Sequence, residues 1–392
     1  MPLQGIRVLD FGRYIAGPYV GALLADYGAD VIRIEAPGGN EDRFSVPVAD
    51  DGSGGMFLQM NRGKRCLTLK PGSEAGREIV RRLVATADVV IANMPDEALV
   101  KLGLDHATLS AINPAIILVA ASAFGSEGPL AQHVGFDAVG QAMSGATHIA
   151  GHDGAPARAQ VNYVDFTTAL HCAFGVMLAL REREKTGKGQ RVSGSLLGSA
   201  LAISNGLTID HAINGVERGM LGNRAFSSAP TDIFATRDGW IMTQVVGNPI
   251  FARWARLVGR PDMAGDPRFA SDIARGDHGA ELSAMMAEWC AARSNEEALA
   301  ELGAAKVPAG PVLKPSEALA HPQVAATGLV DAMAYPGAFG AAPVVRTPIG
   351  LSASAKAAPV PAPRVGEHSD AILAEIGYDT DAILALRAQR II

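Results

Sequence analysis

The chain has 392 residues, 48% of them hydrophobic and 19% charged, with a formal net charge of −6. That length accommodates two or three domains and at least one large core, and the composition is ordinary for a soluble globular enzyme. The acidic balance argues against a nucleic-acid partner, whose footprint would be a basic excess. Cys66, Cys172 and Cys290 lie far apart and form no C-x-x-C pair, which suits a reducing compartment better than a disulfide framework or a metal site. The N-terminus enters strand-like sequence without the charged and apolar regions of a secretory leader. No uninterrupted apolar run reaches membrane-spanning length, so the expectation is a cytoplasmic protein without a membrane partner.

Residues 6–11 (IRVLDF) read as a short buried strand, Gly12 opens a turn, and residues 19–27 repeat apolar side chains at helical spacing. Pro18 suits a first helical turn and Gly28 a stop just beyond the last one. With residues 31–35 (VIRIE) as a second strand, this is a βαβ unit, which implies parallel pairing and a right-handed crossover. The pattern recurs: helix 74–87, strand 88–92, short helix 95–102, strand 116–121. Apolar strands separated by helices predict a doubly wound α/β domain. Ligands of such sheets sit at the carboxyl ends of the strands, which gathers 13–17, 93–101 and 122–128 around one crevice. Beyond residue 192 a helix over 195–213 leads into a linker (GVERGMLGNRAFSSAP). Residues 231–246 then read as strand, turn and strand around Asp238-Gly239, and several helices follow to 304. This second part reads as a smaller α+β domain. Residues 341–363 turn to Pro, Ala and Ser, as linkers and surface wraps do, and 369–392 form two final helices.

The turn G-R-Y-I-A-G-P lacks the G-x-G-x-x-G spacing of a dinucleotide site, but a strand-to-helix turn still offers backbone N–H groups to an anion or a carbonyl oxygen. Residues 61–65 (NRGKR) concentrate positive charge, as a solvated loop or a phosphate contact would. Lys101 ends a short helix, where a lysine suits the dipole. Asp165 stands between VNYV and FTTALHCAFGVMLAL, at or near a helix N-terminus. The commonest task for an aspartate there is to cap the helix. A carboxylate between apolar runs, kept ionised by first-turn N–H groups, is also suited to attack an activated acyl group. Local physics leaves both readings open. The nine histidines show no metal spacing, and there is no G-x-S-x-G elbow.

Taken together, IRVLDFGRYIAGP, YGADVIRIEAPG, NRGKRCLTL, ADVVIAN, LGLDHATLSAINPAIILVAASAFGSEGP, GFDAVGQAMSG, VDFTTALHCAFGVMLALREREKTGKGQRV and GEHSDAILAEIGY closely resemble, in this order and nearly end to end, the class III CoA-transferases, the group of formyl-CoA and carnitine CoA-transferases. The resemblance implies a Rossmann-like CoA-binding large domain (1–200), a linker (201–229), a small α+β domain (230–325) and a return segment (326–392) that completes the large domain. It also implies a homodimer of interlocked rings. Coenzyme A is then substrate and product, exchanged between an acyl-CoA donor and a small carboxylate acceptor, with no metal and no nicotinamide. Asp165 matches the family nucleophile, upstream of a T-G-x-G-Q segment at 186–190, and reacts through aspartyl anhydrides and an aspartyl-CoA thioester.

Carried over position by position, Tyr14, Ile15 and Ala16 face the pantetheine and thioester end, and Leu69 lies on the adenine side. Asn93 and Met94 follow a strand end, Ala98, Lys101 and Leu102 continue along the CoA groove, and His133 faces the nucleotide. The chain departs from the family in places. Ile15 replaces a glutamine of the formyl-CoA enzymes, Ala36 stands where a basic residue is frequent, and Arg33 or Arg62 is left to hold phosphate. Asn93-Met94-Pro95-Asp96-Glu97 replaces N-F-x-P-G, and 222–230 (GNRAFSSAP) replaces a glycine-rich flap. The rivals are an α-methylacyl-CoA racemase, whose G-H-D histidine is here Phe136, a nicotinamide-type oxidoreductase, and a non-catalytic CoA-binding protein.

Overall fold

The computed structural model describes every residue except Asp153 and Phe339. The chain divides into two units, one comprising residues 1–144, 160–204 and 323–392, the other 145–159 and 205–322. Residues 145–159 fall in the second unit, a division that cuts across the 1–200 domain the resemblance implies.

The elements begin β1 (Arg7–Asp10), α1 (Ala16–Ala25), β2 (Asp30–Glu35), α2 (Gly55–Asn61), β3 (Lys64–Thr68), α3 (Glu74–Val84) and β4 (Val89–Ala92). They continue with α4 (Asp96–Leu102), α5 (His106–Ile112), β5 (Ile117–Ser122), α6 (Asp137–Met143), α7 (Ala146–Ile149), α8 (Tyr163–Thr186), β6 (Arg191–Ser195) and α9 (Leu196–Asn214). The six strands pair in parallel in the order β3-β2-β1-β4-β5-β6. This is the strand order of doubly wound dinucleotide-binding sheets, in which the chain reverses direction between β1 and β4 and opens a crevice there.

Successive strand residues point to opposite faces, and here each face has its own core. Leu9, Ile32, Val90, Leu118 and Ala120 pack with Ile79 and Leu83 of α3, Leu99 of α4 and Leu109 of α5. Val8, Val31, Val89, Ile91, Ile117 and Val119 pack with Val20 and Leu24 of α1 and with Ala169, Cys172 and Val176 of α8. By length and composition α8 is apolar enough to cross a membrane, but it packs on this core with Ala169, Cys172, Val176 and Ala179 buried. The T-G-x-G-Q segment that follows is structural: Gly187 ends α8 at φ 71, and a Cβ on Gly189 would come within 1.9 Å of the Ile116 carbonyl oxygen.

The second unit holds an antiparallel sheet of β7 (Thr231–Ala235), β8 (Trp240–Gln244) and β9 (Ala309–Pro311). Around a core of Phe251, Trp254, Leu282 and Met286 it adds α10 (Asn248–Leu257), α11 (Asp272–Asp277), α12 (Gly279–Ala291) and α13 (Asn295–Ala304).

The Pro- and Ala-rich stretch lies against the first unit. Gln59 Nε2 donates to the Val345 carbonyl (2.7 Å), Ala357 N to that of Asp26 (2.8 Å) and Gly63 N to that of Val360 (2.9 Å). Two last helices, Ser369–Glu375 and Thr380–Ala388, place Ile372, Leu373, Ile383 and Leu386 in the first core. Glu375 is clamped between Arg7 (2.8 Å) and Arg65 (2.6 Å).

Candidate active site

The loop that follows β1 is drawn into a tight turn by two glycines. A Cβ on Gly12 would lie 2.8 Å from both Asp10 Oδ1 and the Pro18 ring, and one on Gly17 would lie 3.0 Å from the Gly12 Cα. Tyr14 takes a left-handed φ of 60, a conformation that costs a bulky residue energy and persists where its surroundings hold it. Asn93, at the end of β4, accepts from Arg13 N (2.7 Å) and donates to the Arg13 carbonyl (2.8 Å). Buried Arg33 donates to the Gly12 carbonyl and forks onto Asp42 (2.7 and 3.0 Å), whose Oδ2 also accepts from Tyr14 N (3.2 Å). Ile15, the residue preceding α1, provides no side-chain cap, so first-turn N–H groups of that helix are left for a ligand.

Asp165 is the third residue of α8, and Asn162 ahead of it makes no side-chain capping bond. The acceptor comes from elsewhere: Asp137, the first residue of α6, takes Val164 N (2.7 Å) and Asp165 N (3.0 Å) on its Oδ2 and the Gln141 amide on its Oδ1. Asp137 therefore caps α8, and Asp165 does not. The expectation that first-turn N–H groups would keep Asp165 ionised fails for the same reason, since two of them are bound to Asp137. Asp165 is only 9% exposed. Burial first, and the Asp137 charge second, push its pKa up to about 7.

A cleft of about 450 Å³ opens at the carboxyl ends of β1, β4 and β5, where the strand-order reversal predicts a ligand. Tyr14, Ile15, Ala16, Asn93, Met94, Ala98, Leu102, His133 and Asp165 all line it. Phe136 also lines it, and its ring meets that of Tyr14 edge-on at 5.6 Å.

Four expected contacts lie elsewhere. Leu69 is fully buried in the core beside Leu67 and Ile79. Lys101 is exposed on α4 and outside the cleft lining. Arg33 is fully buried against Glu35, Asp42 and Gly12, so its guanidinium braces the loop and cannot reach a phosphate. Arg62 is likewise buried, on Asp26 (2.7 Å). The 61–65 segment is neither solvated nor a phosphate site: Lys64 Nζ bonds Asp10 (2.7 Å), the Pro18 carbonyl (2.7 Å) and Asn61 (3.0 Å), and Arg65 pairs with Asp30. Among the described residues no three His, Cys, Asp or Glu side chains group as a metal set.

The arrangement can present a desolvated carboxylate to an electrophile bound beside uncapped backbone N–H groups. The family model for CoA-transferase family III matches residues 3–369. The chain is 35% identical to the succinate–glutarate CoA-transferase of Agrobacterium fabrum, over 96% of both chains. It is 32% identical to the succinyl-CoA–D-citramalate CoA-transferase of Chloroflexus aurantiacus, over 100% of this chain and 98% of that one. Among solved structures, a CaiB/BaiF family protein from Brucella suis superposes with a TM-score of 0.84 at 35% identity, covering 96% of this chain and 99% of the other.

Proposed function

The chain belongs to CoA-transferase family III, and on that footing we propose that it moves CoA from succinyl-CoA to a small dicarboxylic acid with Asp165 as nucleophile. The observation that carries this reading is the Asp165 carboxylate itself, buried in the cleft and relieved of capping by Asp137. The choice of acids rests on the relatives, named for succinate, glutarate and citramalate.

Asp165 attacks the donor thioester carbonyl, and collapse of the adduct expels CoA thiolate and leaves a mixed anhydride. The thiolate attacks the aspartyl carbon, releases the donor acid and forms aspartyl-CoA thioester. The acceptor carboxylate then displaces thiolate from the aspartyl carbon, and the thiolate takes the acyl group from this second anhydride, which restores Asp165. Both covalent forms are uncharged at Asp165, so acylation removes the desolvation and the repulsion from Asp137 that raised its pKa. Where the formyl-CoA enzymes carry glutamine, Ile15 has no side-chain donor, and the N–H groups at the start of α1 serve the oxyanion instead. Apolar walls at Ile15, Phe136 and Leu196 exclude water while each anhydride lives.

The enzyme acts as a homodimer. Leu170 (47% exposed), Phe174 (64%) and Leu178 (55%) form an apolar strip on α8 that a second copy covers. Cys66, Cys172 and Cys290 are free and buried, in keeping with a cytoplasmic setting. Phe136 has no exchangeable proton, which disfavours racemisation by a histidine at that position.

Incubation with succinyl-CoA followed by borohydride should reduce the aspartyl thioester and change the mass of the peptide containing residue 165, with no change in Asp165→Ala. Label on another residue, or wild-type transfer by Asp165→Ala, would sink the assignment.

A further inference from the structure

The second unit contains a polar cleft of about 280 Å³ that none of the chemistry above uses, lined by Gly151, His152, Gly222, Asn223, Arg224 and Asp232 among others. Its walls are two backbone segments held together: Leu221 N donates to the Ile149 carbonyl and Gly222 N to that of Gly151, each at 3.0 Å. The approach is so close that a Cβ on Gly222, at φ 63, would lie 2.5 Å from the His152 imidazole. A Cβ on Gly151 would lie 2.6 Å from the Ala155 carbonyl oxygen. Arg224 is half-buried here and, among the described residues, makes no side-chain hydrogen bond and no ion pair. The other charged lining residue, Asp232, turns one carboxylate oxygen to Ile233 N (2.8 Å) and does not pair with Arg224.

We propose that this cleft binds a small carboxylate anion, with Arg224 as its cation and Asn223 and His152 as further hydrogen-bond donors. A guanidinium presents parallel N–H groups that match a carboxylate fork to fork, and partial burial reduces the screening that weakens such pairs at an open surface. The volume suits an acid of a few carbons and is too small for a CoA thioester. The site stands on its own geometry, while identifying its ligand with the class of the acceptor acid rests on the transferase reading. Two sources fit: the acceptor itself, or a carboxylate that modulates the enzyme.

Calorimetric titration of glutarate into Asp165→Asn protein, which cannot turn over, tests the site directly. Arg224→Gln in that background should weaken a binding event about 10- to 100-fold, with Arg224→Lys intermediate and melting temperatures unchanged. Unaltered isotherms would overturn the proposal. With Asp165 intact, a raised KM for the acid in Arg224→Gln at constant KM for the donor assigns the site to the acceptor. A glutarate effect on rate that the variant loses assigns it to an effector. Absence of acyl transfer in every variant would defeat the transferase reading and leave the binding result standing.

Discussion

At the scale of the residue, the raised pKa of Asp165 bears on stability and, with Asp165 as the proposed nucleophile, on rate. Only the carboxylate is nucleophilic, so with a pKa of about 7 the acylation half-reaction should rise with pH along a limb centred near neutrality, losing about tenfold per unit below it. Single-turnover release of CoA measures this, and a limb centred near 4 would mean a well-solvated carboxylate. The linkage has the opposite sign for stability. In the folded state the group keeps its proton up to about 7, against an ordinary value of 3.8. The folded protein therefore binds more protons between those values, and stability is lost as pH rises through that window. Asp165→Asn should melt above wild type at pH 8, by an amount worth at most ~4 kcal/mol, and the margin should shrink toward pH 4. Asp137 separates charge from shape. Asp137→Asn keeps an acceptor for the α8 N–H groups but removes the negative neighbour, so the acid limb should move to lower pH. Asp137→Ala also loses the cap and should cost about 1–2 kcal/mol.

At the scale of the element, the turn between β1 and α1 takes its shape from charges beneath it. Arg33→Ala would leave Asp42 buried without its cationic partner and Glu35 with Arg43 alone, a loss of about 3–5 kcal/mol that should appear as a large drop in melting temperature. Arg33→Lys keeps the charge but cannot reach Glu35, Asp42 and the Gly12 carbonyl from three separate nitrogens, and should fold with a several-fold higher KM for acyl-CoA. The regular elements here were legible in the sequence because strand alternation and helical periodicity are local signals. The partners of residues 61–65 were not. Arg62, Lys64 and Arg65 bond to carboxylates 35 to 54 residues earlier, and only the parallel crossover that lays β3 beside β2 brings them together. Asp137 went unnoticed for the same reason. In the sequence it merely follows Phe136, and nothing local connects it to N–H groups 27 and 28 residues later. A dense basic run just before a strand reads as a solvated loop until the opposing acids of the preceding segments are counted.

At the scale of the whole molecule, the exposed face of α8 makes the predicted dimer testable. Phe174→Glu with Leu178→Glu should sediment as a monomer, and an unchanged dimer would place the interface elsewhere. The last two helices carry a different implication. Ile372, Leu373, Ile383 and Leu386 cover one face of a sheet whose first strand begins at Arg7, and Glu375 bonds to that strand. During synthesis, then, β1 leaves the ribosome well before residues 369–388 and waits for them before that side is sheltered. Nascent chains of this protein should depend on chaperones until that segment has emerged, and a stop codon just before Ser369 should yield aggregates rather than a shortened enzyme.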